Sequence, residues 1–146
     1  MSAPVPPNGP VTGLSHVAIA VREADPVADR LVAALGATRG GEELLDEGGL
    51  RVVFVHAGPV TFELLEPKRD DHTVARFLET RGPGLHHVSL EVADLRERLA
   101  AASAADVRLI DEQPRPGAHG TQVAFLHPKS LGGVLLELCQ DTRPRP

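Results

Sequence analysis

The sequence predicts an α+β fold: two tandem β-α-β-β-β modules forming a cupped, mostly antiparallel eight-stranded sheet with helices outside. Three observations predict it. Residues 14–21, LSHVAIAV, and residues 85–92, LHHVSLEV, agree at Leu14/Leu85, His16/His87, Val17/Val88 and Val21/Val92. Each copy precedes a stretch of helical spacing and then a set of strand-like runs. Each set ends on an apolar run holding one carboxylate, Glu63 in TFELL and Glu137 in LLELC. One such half is too small to bury both faces of its sheet, so two halves must share an interior.

The elements follow in order. Residues 14–21 alternate, with Val17, Ile19 and Val21 on one face and His16, Ala18 and Ala20 on the other, the mark of a strand between two environments. Asp25-Pro26 supplies an N-cap and a first-turn proline. Val27, Leu31 and Leu35 keep helical spacing, and Gly36 ends the helix. Gly pairs at 40–41 and 48–49 bracket a strand around 43–46, and 50–55 is a β-branched strand. Gly58-Pro59 turns the chain into the strand 60–65. Residues 67–71 are polar, and Val74, Phe77 and Leu78 give a short helix up to Gly82.

The order then repeats. A strand at 85–92 leads to a helix opened by the capping box Asp94–Glu97. Strands are expected at 107–110, 122–126 and 134–138, with a long Gly- and Pro-rich turn at 114–120. The expected organisation is a flexible tail (1–11), one domain (12–140) and a second tail (141–146). The domain comprises module one (12–66), a linker (67–83) and module two (84–140).

Composition narrows the function classes. The chain has 146 residues, a formal charge of −5, four Phe and neither Tyr nor Trp. Stacking platforms and a basic surface for nucleic acid are therefore not expected. Cys139 is the only cysteine, which excludes an intrachain disulfide and a thiolate zinc cage; it reads as a small packed residue. No apolar run reaches membrane-spanning length. The start, MSAPVPPNGP, lacks a basic n-region and an apolar h-region, so a cytoplasmic location is expected.

Strand parity selects the chemistry. His16 shares its face with Ala18 and Ala20, small residues that leave room, and His87 shares its face with Ser89. His86 has the opposite parity, toward the helices, since a one-residue shift moves a side chain to the other face. Glu63 lies 47 residues after His16, and Glu137 lies 50 after His87. A carboxylate inside an apolar strand is costly unless paired or bound to a cation. Two imidazoles and two carboxylates suit an octahedral Co²⁺, Mn²⁺, Ni²⁺ or Zn²⁺ with open positions for a chelating substrate.

Other residues are weaker candidates. His119, in the turn GAHG, can touch substrate, and Lys129 and Ser130, in the turn feeding the Glu137 strand, can anchor it. His56 and His72 read as surface residues, and Glu91 as a rim residue. Glu42, Glu43, Asp46 and Glu47 read as a solvated acidic face.

With these residues the chain resembles the vicinal oxygen chelate (glyoxalase/bleomycin resistance/dioxygenase) superfamily, and within it the methylmalonyl-CoA epimerase family. The family resemblance is carried by TFELLEP at 61–67, GPGLHHVSLEV at 82–92 and IDEQPRPGAHGTQVAFLHPKSLGGVLLELCQ at 110–140. It covers residues 12–140 and implies a glyoxalase-like fold. By motif it implies His16, Glu63, His87 and Glu137 as metal ligands, with Co²⁺ first and Mn²⁺, Ni²⁺, Zn²⁺ or Mg²⁺ as substitutes.

Some members of that family carry glutamine at the Glu63 position and a proton-transferring glutamate on the preceding strand, where this chain has Val52. The second carboxylate has then moved from position 52 to position 63, which makes Glu63 and Glu137 the proton-transfer pair. The first helix, ADRLVAALGA, also departs from the superfamily in lacking aromatic residues.

The resemblance further implies an isomerase of propionate metabolism. It would interconvert (2R)- and (2S)-methylmalonyl-CoA by α-proton abstraction and reprotonation through a metal-stabilised enolate. The partner is an acyl-CoA, the assembly a homodimer, and no organic cofactor is needed. The alternative is a glyoxalase I-type lactoylglutathione lyase, which resembles the same four-ligand set. A ring-cleaving dioxygenase would want three ligands, and a drug-sequestering module would dispense with the set.

Overall fold

The computed structural model describes residues 10–142. In chain order the elements are β1 (Val11–Ala20), α1 (Ala24–Leu35), β2 (Thr38–Leu45), β3 (Leu50–Ala57), β4 (Val60–Pro67) and α2 (Thr73–Arg81). There follow β5 (Gly84–Val92), α3 (Leu95–Ala104), β6 (Arg115–Pro116), β7 (Thr121–Leu126) and β8 (Leu136–Asp141). The eight strands form one sheet in the order β2-β3-β4-β1-β5-β8-β7-β6. The sheet is mixed: β1/β4 and β5/β8 are parallel, while β2/β3, β3/β4, β6/β7 and β7/β8 are antiparallel.

The described residues form two compact units, one of residues 16–87 and one of residues 10–15 with 88–142. In the first, α1 lies on β3, β4 and β1. Its buried Ala24 and Ala28 pack with Val21, Val53, Val55 and Leu64, and Val27 and Leu31 close over them. Small alanines let the helix approach the sheet, where larger side chains would hold it off. Gly36 ends α1 in the left-handed region (φ 65°), its N–H donating to Val32 O. In the second unit α3 does the same work. Leu95 and Leu99 pack with Val92, Ala124, Leu126 and Leu138, and Asp94 caps the helix by accepting from Glu97 N, as the capping box predicts.

Four local expectations are corrected. Residues 107–110 do not form a strand; only a single bridge, Leu109 to Leu126, is made there. The sixth strand is Arg115–Pro116, inside the stretch read as a turn, and it pairs with Val123 and Gln122. It stays two residues long because Pro114 and Pro116 lack the N–H a ladder needs. The N-cap of α1 is Glu23 rather than Asp25, because the Asp25 carboxylate is engaged by Arg39 at 2.5 Å and by Arg51 at 2.9 Å. His72 is not a free surface side chain. It caps α2 by accepting from Val74 N, and its Nε2 lies 2.6 Å from Asp46 Oδ2.

β1 begins at Val11 and β8 ends at Asp141, so each runs one residue into an expected tail. Residues 1–9 and 143–146 of those tails lie outside the described residues.

Candidate active site

Register and alternation decide which side chains share a face. In the first unit Ala18 of β1 is the parallel partner of Glu63 of β4, and Phe54 of β3 is its antiparallel partner. Val53, Val55 and Leu64 point to α1, so His16, Ala18, Ala20, Phe54 and Glu63 occupy the opposite face. Val52 belongs to that face too and is fully buried, so no carboxylate is available from that position.

The second unit repeats the pattern. Ser89 of β5 is the parallel partner of Glu137 of β8, and Phe125 of β7 is its antiparallel partner. Each glutamate thus stands between a phenylalanine on one side and a small residue on the other, facing away from its helix.

His16 and His87 are both buried, 6% and 5% exposed. Their rings meet edge to face, with Nε2 to Nε2 at 3.2 Å. Glu63 approaches His16 from the other side, Oε2 to Nδ1 at 2.9 Å. Glu63 thus takes Nδ1 of His16, and Nε2 is the nitrogen turned to His87. In the second unit, Glu137 is buried and accepts a hydrogen bond from Ser89 Oγ at Oε1, 2.7 Å.

His86 behaves as its parity requires. It is only part-buried, and its ring packs on Phe77 of α2 at 5.0 Å. Its pKa is lowered to about 4, first by burial and then by the charges of His72 and Arg81. Its Nδ1 also lies 2.8 Å from Nδ1 of His87, so it touches the neighbouring ring from the side away from Nε2.

A divalent ion fits the imidazole pair. Two histidine nitrogens held at about 2.1 Å from one ion are about 3.0 Å apart at a right angle and about 3.4 Å apart at the tetrahedral angle. The observed 3.2 Å lies between those values. The donor set, imidazole with carboxylate at hand, is the one borderline divalent metals prefer.

The three substrate-contact candidates lie in turns of the second unit. His119 is exposed and holds a positive φ of 55° inside the short turn Ala118–Gly120. The turn is tied down by Thr121 Oγ1 donating to Ala118 O at 2.7 Å. Lys129 is exposed, and its N–H donates to Nδ1 of His127, which caps the turn Pro128–Ser130. Ser130 Oγ accepts from the amide of Arg108 at 2.9 Å, a backbone tie that sequence reasoning missed.

Sequence reasoning also missed the Ser89–Glu137 bond, for which only a shared strand face gave a signal. It missed the charge network in which Arg51 joins Asp25, Glu42 and Glu66.

Residues 15–125 match the Glyoxalase/Bleomycin resistance protein/Dioxygenase superfamily. The chain belongs to that superfamily. Within it, the chain is 39% identical over 139 residues to the mitochondrial methylmalonyl-CoA epimerase of Bos taurus, covering 92% of this chain and 79% of that one. It is 39% identical over 132 residues to the ethylmalonyl-CoA/methylmalonyl-CoA epimerase of Cereibacter sphaeroides, covering 87% and 96%. The fold matches a variant of the Streptomyces coelicolor methylmalonyl-CoA epimerase in complex with 2-nitronate-propionyl-CoA. That match has a TM-score of 0.85 at 31% identity and covers 92% of this chain and all of that one. This member of the superfamily therefore belongs to the methylmalonyl-CoA epimerase family. Among its described residues no helix is long and apolar enough to cross a membrane.

Proposed function

We propose that this protein interconverts the 2R and 2S epimers of methylmalonyl-CoA. Its relatives of that name support the substrate, and the 3.2 Å approach of the two buried imidazoles carries the chemistry. In this reading His16, His87, Glu63 and Glu137 hold a divalent ion, with Co²⁺ first and Mn²⁺, Ni²⁺, Zn²⁺ or Mg²⁺ able to replace it. The ion would supply Lewis-acid charge to the carboxylate and thioester oxygens that flank the inverted carbon.

The protein's own part is to move one proton between two faces. Epimerisation needs a base on one side of the carbon and an acid on the other. Glu63 and Glu137 take these roles and exchange them in the reverse direction. Their matched registers support this division: each stands opposite a small residue and a phenylalanine. Glu63 meets His16 at Nδ1, 2.9 Å away, and to act as a ligand it must leave that nitrogen for the ion. His119, Lys129 and Ser130 are assigned to the acyl-CoA chain. The reading includes a cytoplasmic homodimer.

NMR of methylmalonyl-CoA in D₂O, with protein and Co²⁺, tests the reaction. Deuterium entering the C2 position together with inversion is the expected result. No exchange there, with turnover of the methylglyoxal–glutathione adduct instead, would replace this reading with a glyoxalase I-type lyase. Light scattering at micromolar concentration tests the dimer.

A further inference from the structure

Of the direct cross-strand partners of the two glutamates, Phe54 and Phe125 match and only the parallel partners differ. Ala18 partners Glu63, and Ser89 partners Glu137, in the same parallel register. Both small residues are fully buried. Alanine at the first place means that this strand register needs no hydroxyl to form. Yet Ser89 supplies one, and its Oγ donates to Glu137 Oε1 at 2.7 Å.

A carboxylate on a long side chain has two equivalent oxygens and a soft terminal torsion. One fixed donor removes that freedom. In the first half the donor is His16, through Nδ1 to Glu63 Oε2 at 2.9 Å. In the second half it is Ser89. The first donor belongs to the proposed ligand set; the second does not, and its hydroxyl proton is directed at Glu137.

We propose that Ser89 is a positioning residue for Glu137. It holds Oε1 and so determines that Oε2 is the oxygen turned toward ion and substrate. The proposal rests on the role given to Glu137 above. Orienting partners of this kind are worth about 10–100-fold in metal affinity or rate.

The test uses Ser89→Ala, which copies the first half, and Ser89→Thr, which keeps the hydroxyl. Three quantities are read on the full chain: the thermal midpoint of the metal-free protein, Co²⁺ affinity by chelator competition, and kcat and KM for methylmalonyl-CoA. The expected result for Ser89→Ala is Co²⁺ affinity and kcat each lower by about tenfold or more with an unchanged KM, beside a midpoint lowered modestly by the lost buried bond. Ser89→Thr should restore affinity and kcat toward wild type. Wild-type affinity and kcat in Ser89→Ala would overturn the proposal, whatever the threonine variant does. So would a lower midpoint with both retained, which is the mark of a purely structural hydroxyl. If the wild-type protein does not epimerise methylmalonyl-CoA, the function reading fails. The Co²⁺ affinity of Ser89→Ala against wild type still decides the role of Ser89.

Discussion

The imidazoles of His16 and His87 point Nε2 at Nε2 across 3.2 Å, and each has its Nδ1 held from behind, by Glu63 and His86 respectively. Two buried rings held in this way bring their Nε2 atoms to one spot. His16→Ala and His87→Ala should each lose bound Co²⁺ and activity while keeping the fold. His86→Ala should retain the ion, with affinity reduced only through loosening of His87. Elemental analysis of the purified variants reads this directly. A metal-free His86→Ala beside a metal-loaded His87→Ala would reverse the assignment.

Glu→Ala changes at the two glutamates would confuse lost metal with lost catalysis. Glutamine keeps an oxygen able to ligate and removes the base. Glu63→Gln and Glu137→Gln should each retain part of the ion and lose about 10²-fold or more in kcat. With one residue serving each face, the two variants should exchange the α-proton of opposite epimers with D₂O. Normal turnover by Glu63→Gln would leave Glu63 with the orientation of His16 alone.

Lys129 is exposed in the turn before β8. Its replacement by alanine should raise KM for the acyl-CoA and leave kcat and metal content alone. An unchanged KM would reduce Lys129 to a turn residue.

Helices α1 and α3 begin against side chains from distant strands. Glu66 Oε2 accepts from Ala24 N at 2.7 Å, and Gln140 Oε1 accepts from Leu95 N at 2.8 Å. Glu66 also holds Arg51, at 3.4 Å. Losing the carboxylate therefore orphans a helix amide and takes one of three carboxylates from Arg51. Glu66→Leu should destabilise by about 2 kcal/mol, and Gln140→Leu by about 1 kcal/mol. Urea unfolding of the metal-free variants measures the difference, and equal losses would remove Arg51 from the explanation.

Asp25 gives a dependence on acid. Hydrogen bonds from Arg51 and then Arg39 lower its pKa from 3.8 to about 2. The folded state thus binds this proton less readily than the unfolded chain. The stabilisation is complete above pH 3.8 and is lost as pH falls toward 2. Exposure to solvent keeps it small. Asp25→Asn should flatten that part of the urea-midpoint profile of the metal-free protein, with no effect above pH 5 beyond a constant offset. A profile parallel to wild type between pH 4 and 2 would show that the pair contributes nothing.

The sequence by itself determined the repeat, and with it which side chains share the face of the proposed site. LSHVAIAV and LHHVSLEV imply the same strand twice, and a period of two places His16 and His87 with small neighbours while turning His86 away. Alternation is a local property, so it survives in one dimension. The apolar runs around Glu63 and Glu137 are legible for the same reason, as are the caps at Asp94 and Gly36.

Only the tertiary structure decided the rest. That Ser89 meets Glu137, that His72 caps α2 while reaching Asp46, and that Arg51 gathers Asp25, Glu42 and Glu66 depend on strand register and helix placement across long loops. The N-terminus of α1 went the same way. Asp25 has the chemistry of a cap, but two arginines brought from β2 and β3 claim its carboxylate, and Glu66 supplies the missing acceptor. Hydrogen-bond partners are chosen by distance in space, and residues far apart in sequence compete for the same donors once the sheet has closed.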